Sequence, residues 1–180
     1  LSNTDVLTTY KNLIAVNSKK VIDKLSKHDL STSAIVFYWG VKGKHEQLEI
    51  HNILFSEDYK KEFDDLFTNN VIHTDPTIYI YISSKYKPAD APKDCENWFV
   101  MINTPSNISQ NWADNVKRFR KIIFEKINKV LSIDITDKII AEKILTPVDL
   151  EERTGSYHGS IYGISSNDRF AAFLRHPNFS

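Results

Sequence analysis

Apolar and polar positions change period along the chain, and the changes divide it into short elements. In residues 77–82, TIYIYI, Ile78, Ile80 and Ile82 alternate with Tyr79 and Tyr81, the two-residue period of a strand. Residues 97–103 repeat the pattern, with Trp98, Val100 and Ile102 on one side and Phe99 and Met101 on the other. They are predicted to pair antiparallel with 77–82 across a turn holding Pro88 and Pro92. An earlier strand is predicted at 33–41, where Ile35, Phe37 and Trp39 oppose Val36 and Tyr38, followed by a turn marked by Gly40 and Gly43. Further strands are predicted at 48–55 and 139–145.

The helical period rules elsewhere. At 112–131, Trp112, Val116, Phe119, Ile123, Ile127 and Val130 form one stripe, and Lys117, Arg118, Arg120, Lys121, Lys126 and Lys129 form a solvated side. A helix at 59–67 opens after Ser56 and Asp58, with Phe63, Leu66 and Phe67 as its apolar stripe. Shorter helices are expected at 6–13, capped by Asn3 or Asp5, at 19–27, capped by Asn17 or Ser18, and at 147–152 with Pro147 in the first turn. The fold class that follows is α+β: a mostly antiparallel sheet of five or six strands with helices on one face.

These strands are apolar on both sides, whereas an antiparallel sheet with one wet face reads polar on that face. The long helix can cover one face. The other then needs a second domain, a partner or a bound apolar molecule. Leaving Tyr79, Tyr81, Phe99 and Met101 in water forgoes roughly 1.5–3 kcal/mol per large side chain. Half of a cavity is the expectation. An aromatic content of 12% fits a protein that holds something large and apolar, and fits a rich core equally.

Charge and motifs narrow the function by exclusion. The net charge of zero offers no basic footprint for nucleic acid. A single cysteine, Cys95, forms no internal disulfide and has no histidine near it in sequence. No apolar run approaches the ~20 residues of a membrane span. The opening LSNTD has neither Met nor a signal peptide's pattern, as expected of an excised segment. His45 to His51 reads HEQLEIH, but the zinc motif H-E-x-x-H needs histidine where Glu49 stands. Asp64 and Asp65 fall in a charged helix and are expected to be solvated. There is no P-loop, G-x-G-x-x-G or G-x-S-x-G. With no complete catalytic constellation, the chain is either a binding module or the wall around a cofactor held elsewhere. The stretch 155–178 holds three of the five glycines, and is expected to form a buried loop in which His158 is the most site-like histidine.

A series of blocks also resembles the FAD-dependent carotenoid desaturases, the phytoene desaturase family. In order they are LSNTDVLTTYKNLI, HNILFSEDYKKEFDDLF, DPTIYIYISSKYKPADAP, ENWFVMINTP, ILTPVDLEER and GSYHGSIYG. NWFVMINTP and SSNDRFAAFLRHPNFS are similar to the 1-hydroxycarotenoid 3,4-desaturase branch. Thr4 stands where the family has Ala, and His176 separates Arg175 from Pro177. The family's two flavin-binding glycine motifs are absent, so the resemblance implies that residues 1–180 are the substrate-binding domain lying between two halves of a flavin domain. It implies dehydrogenation of a C–C bond in a carotenoid by FAD bound mainly outside this chain. It also implies an enzyme on the cytoplasmic side, peripherally associated with a membrane surface. The expected substrate wall is Tyr79, Tyr81, Phe99 and Met101; the expected flavin edge is Tyr162, Arg175 and Asn178. The rival expectations are a stand-alone, non-enzymatic module for a lipid or other apolar ligand, and a structural domain whose second face meets a partner subunit.

Overall fold

A computed structural model describes residues 2–14 and 18–165. Five strands form one antiparallel sheet: β1 (Ser33–Lys42), β2 (His51–Leu54), β3 (Ile78–Tyr81), β4 (Cys95–Thr104) and β5 (Ile139–Leu145), in the order β2-β3-β4-β1-β5. β1 is antiparallel to both β4 and β5, so those two run the same way and need a crossover. The long helix α4 (Trp112–Leu131) makes it, and so lies on one face of the sheet.

That face is the core. Ile35, Phe37, Trp39 and Val41 of β1, Ile78 and Ile80 of β3, and Trp98, Val100 and Ile102 of β4 are buried with Trp112, Phe119, Ile123 and Ile127 of α4. The Trp39 and Phe124 ring centres lie 5.1 Å apart across this interface. The alternation read from the strands therefore assigns the faces correctly.

The helices differ from expectation in informative ways. Residues 6–13 are α-helical only over α1 (Val6–Thr8), capped by the Asp5 carboxylate, and continue as a wider π turn over Thr9–Leu13. α2 (Lys19–Leu25) ends short of 27, and Ser18 makes no side-chain cap. α3 (Tyr59–Phe67) is capped by Asp58, but the residues it buries are Glu62 and Leu66, while Phe63 stays exposed. Glu62 turns inward because its carboxylate accepts from both the backbone N–H and the hydroxyl of Thr77. Asp65 is not merely solvated: it accepts from His73 at 2.7 Å, and that bond holds its carboxyl below the usual range. In α4, Val130 is 54% exposed, and Leu131 beside it packs against the core instead. Lys126, expected on the wet side, instead reaches Asp75 and the Pro76 carbonyl.

Gly40 lies inside β1, not in the turn, and its Cα faces Ala141 of β5. β2 is shorter than expected because Leu48 donates back to the His45 carbonyl and Glu49 donates to the Asn52 side chain, making 45–50 a turn. Past α5 (Pro147–Thr154), whose Thr146 and Asp149 cap each other, the backbone crosses β1 again: the Gly159 carbonyl accepts from the Ser33 hydroxyl at 2.6 Å. Gly159 has φ +67°, and a Cβ there would stand 2.3 Å from the Pro147 carbonyl oxygen. Gly159→Ala is expected to destabilise the domain by at least ~1–2 kcal/mol from the left-handed backbone alone. Thermal melting checks it, and an unchanged midpoint would count against this packing.

Candidate functional site: the outer face of the sheet

The face away from α4 is built from the other half of each alternation. The pairings place His51, Tyr81, Phe99, Tyr38 and Lys143 in one row across the five strands. Ile53, Tyr79, Met101, Val36 and Leu145 form the row beside it. Tyr79, Tyr81, Phe99 and Met101, expected together from the sequence, are thus direct neighbours, all half-buried. Tyr38 is 41% exposed and Ile53 52% exposed on the same face.

The rings of this face hold one another. Phe99 meets Tyr38 edge-on at 5.4 Å and Tyr79 at 6.1 Å. His51 stacks on Tyr81 at 5.0 Å and on Tyr79 at 6.1 Å. His51 Nδ1 and the Tyr79 hydroxyl share a hydrogen bond of 2.8 Å. Burial, and next the neighbouring Tyr81, push the Tyr79 phenol above its ordinary pKa, so it keeps its proton at neutral pH. This surface can bind a flat or rod-like apolar molecule by contact and stacking, with hydrogen-bonding groups at the Tyr38, Tyr79 and Tyr81 hydroxyls and at His51 on the β2 edge.

The sequence reading missed Tyr38, His51 and Ile53 as members of this face. The alternation of β1 already put Tyr38 opposite the core. His51 and Ile53 join it through the β2–β3 register, which no local pattern supplies.

A second polar cluster sits at the other end of β4. Glu96 is buried and receives Lys85 Nζ at 2.9 Å, Trp98 Nε1 at 3.0 Å and His45 Nδ1 at 2.8 Å. Lys85 also donates to the His45 carbonyl at 2.7 Å. Burial alone would raise the Glu96 carboxyl; the hydrogen bonds from Lys85, Trp98 and His45 outweigh it and hold the group down to about 2. A histidine–carboxylate pair can move a proton, but His45 is 3% exposed and its Nε2 meets neither solvent nor a partner. This cluster ties the turn after β1 to the start of β4, out of reach of a substrate. His158 has a left-handed backbone, at φ +52°, its carbonyl accepts from the Asn107 N–H, and its ring lies 4.1 Å from that of Tyr157.

Of the residues expected at a flavin edge, Tyr162 is 76% exposed, and Arg175 and Asn178 lie outside the described residues. No family profile matches the chain. Individual proteins do. The chain is 51% identical over its full 180 residues to a 1-hydroxycarotenoid 3,4-desaturase of Flavobacterium sp. (strain P99-3). It is 34% identical, again over its full length, to a 4,4'-diaponeurosporene oxygenase of Staphylococcus haemolyticus. Over 91% of the chain it is 30% identical to a phytoene desaturase of Neurospora crassa.

The chain belongs to the carotenoid desaturase family. It spans 36% of the length of the Flavobacterium and Staphylococcus relatives and 29% of the Neurospora one. The family is one of oxidoreductases of carotenoid biosynthesis, in agreement with the resemblance seen in the sequence blocks.

Proposed function

We propose that this chain is the substrate-binding domain of a flavin-dependent carotenoid desaturase. Its outer sheet face, with Tyr79, Tyr81, Phe99 and Met101, forms the wall against which the polyene lies. The observation that carries the reading is the pair of adjacent rows across the five strands on the face away from α4, apolar or aromatic except for His51 and Lys143 at the ends of one of them. A relative named as a 1-hydroxycarotenoid desaturase supports a polyene as the molecule this wall would meet. The wall would align a long hydrocarbon and keep water from the reacting bond, with no acid–base pair demanded of it.

The described residues do not fit a flavin dinucleotide. A pyrophosphate is held by free N–H groups at a helix N-terminus after a glycine-rich turn. Here the N-termini of α3, α4 and α5 are filled by Asp58, Asn111 and Thr146 of the chain itself. FAD would therefore be bound by segments outside this chain, with Tyr162, Arg175 and Asn178 as its proposed edge contacts.

Among the described residues no helix is long and apolar enough to cross a membrane. Supply of an insoluble substrate would need contact of the full-length enzyme with a membrane surface, on the cytoplasmic side in our reading. The test is to purify this chain alone and the full-length protein, each in excess FAD. We expect the full-length protein to retain flavin and to desaturate a carotenoid presented in liposomes, and the isolated chain to come out colourless. Stoichiometric flavin on the isolated chain, or a full-length protein with neither flavin nor turnover, would overturn the reading.

A further inference from the structure

We infer that His51 is the hydrogen-bonding stop at one end of the apolar track, the residue that reads a hydroxyl on the end of a polyene substrate. The inference rests on the reading that the outer face meets such a substrate.

The row His51, Tyr81, Phe99, Tyr38, Lys143 crosses the strands. Four inter-strand steps make it ~19 Å long. Its middle and the row beside it are aromatic rings and aliphatic groups whose only side-chain polar atoms are the phenol oxygens of Tyr81, Tyr38 and Tyr79, so a rod laid across the strands meets nitrogen side chains only at the two ends. Those ends differ. Lys143 is an exposed cation on a flexible stem at the β5 edge, free to stay in water. His51, at the β2 edge, is held in place: stacked on Tyr81 and Tyr79, and tied through Nδ1 to the Tyr79 hydroxyl at 2.8 Å.

With Nδ1 engaged, Nε2 is the free position of the ring; no described residue bonds to it. If Tyr79 donates to Nδ1, Nε2 carries a proton and donates; if Nδ1 donates to Tyr79, Nε2 accepts. A hydroxyl satisfies either arrangement, because it both donates and accepts. A hydrocarbon end satisfies neither, and covers Nε2 without replacing the water it displaces. The pair therefore distinguishes a hydroxylated chain end from a bare one, and sets how far the substrate slides along the track.

The test uses the full-length protein carrying this chain, with a 1-hydroxycarotenoid and the same carotenoid lacking the hydroxyl, each in phosphatidylcholine vesicles. The wild type is expected to favour the hydroxylated substrate about tenfold in kcat/KM, the worth of one good hydrogen bond. His51→Phe keeps the stack and removes both nitrogens; the ratio should collapse toward one, through KM of the hydroxylated substrate. His51→Leu should do the same and stands in if His51→Phe melts early. Tyr79→Phe, which releases the ring, should lower the ratio in part. A wild type without preference, or a preference that survives both His51 variants, overturns the role of His51. Phe99→Glu separates the two levels of the argument. If it abolishes turnover of both substrates while His51 variants keep the preference, the substrate wall stands and only the stop is wrong. If it leaves both turnovers at wild-type values, the wall itself is wrong, and the stop with it.

Discussion

Phe99→Glu and Val100→Glu, adjacent in β4, are expected to fail in opposite ways. Val100 is fully buried between the sheet and α4. A carboxylate there has no partner, and burying an unpaired charge costs several kcal/mol even after it takes up a proton. That is a large part of a domain's whole stability, so Val100→Glu should unfold or scarcely accumulate. Phe99 points the other way, half-buried among Tyr38, Tyr79 and Tyr81. There a glutamate can reach water in the free enzyme, so the melting temperature should move by only a few degrees. With substrate bound it would face a hydrocarbon that cannot pair with it. Turnover should fall by a hundredfold or more, from on the order of 3 kcal/mol of lost binding and alignment. Flavin content and melting, measured beside liposome turnover, separate the two cases. Should Phe99→Glu unfold the protein while Val100→Glu only slows it, the faces would be assigned backwards.

The second large effect lies in the buried cluster. Glu96→Ala leaves Lys85 and His45 without their carboxylate and is expected to cost about 3 kcal/mol, as breaking a buried ion pair does. The pH dependence follows from the same bonds. The folded carboxyl titrates at about 2 against an ordinary 4.5. The native state therefore binds its proton less readily than the unfolded chain does. The stabilisation, on the order of 3 kcal/mol, is complete above pH 4.5 and is lost as the pH falls toward about 2. Urea unfolding at neutral pH and close to pH 2 should show a wide gap between wild type and Glu96→Ala that narrows in acid. A gap that is constant with pH would mean that the carboxylate's charge is not what stabilises the start of β4.

Much of the architecture was legible because two periods dominate it. Strict alternation in residues 77–82 and 97–103 told both faces apart, and the 112–131 stripe marked a helix with the bounds that α4 has. What alternation cannot carry is the register between strands remote in sequence. His51 and Ile53 join the site only through the β2–β3 pairing, and the neighbours of Tyr38 follow only from the β1–β4 pairing. Polar residues that turn inward were equally hidden. Nothing local marks Glu62 or Glu96 as buried; their partners, Thr77 in one case and Lys85, Trp98 and His45 in the other, meet them only in space. Gly40 shows the converse: its residue type marks the predicted turn, yet its place is within β1 against Ala141.

The claim that the outer face is the substrate wall is tested most directly by contact. A photoactivatable p-benzoylphenylalanine can be installed at position 99 of the full-length protein, and in a second variant at position 121. Lys121 projects into water from α4, on the far side of the core, with 79% of its side chain exposed. After irradiation with a carotenoid in liposomes, mass spectrometry of the peptides should find the carotenoid adduct at position 99 and none at position 121. An adduct at neither position, or equal labelling at both, would contradict the account.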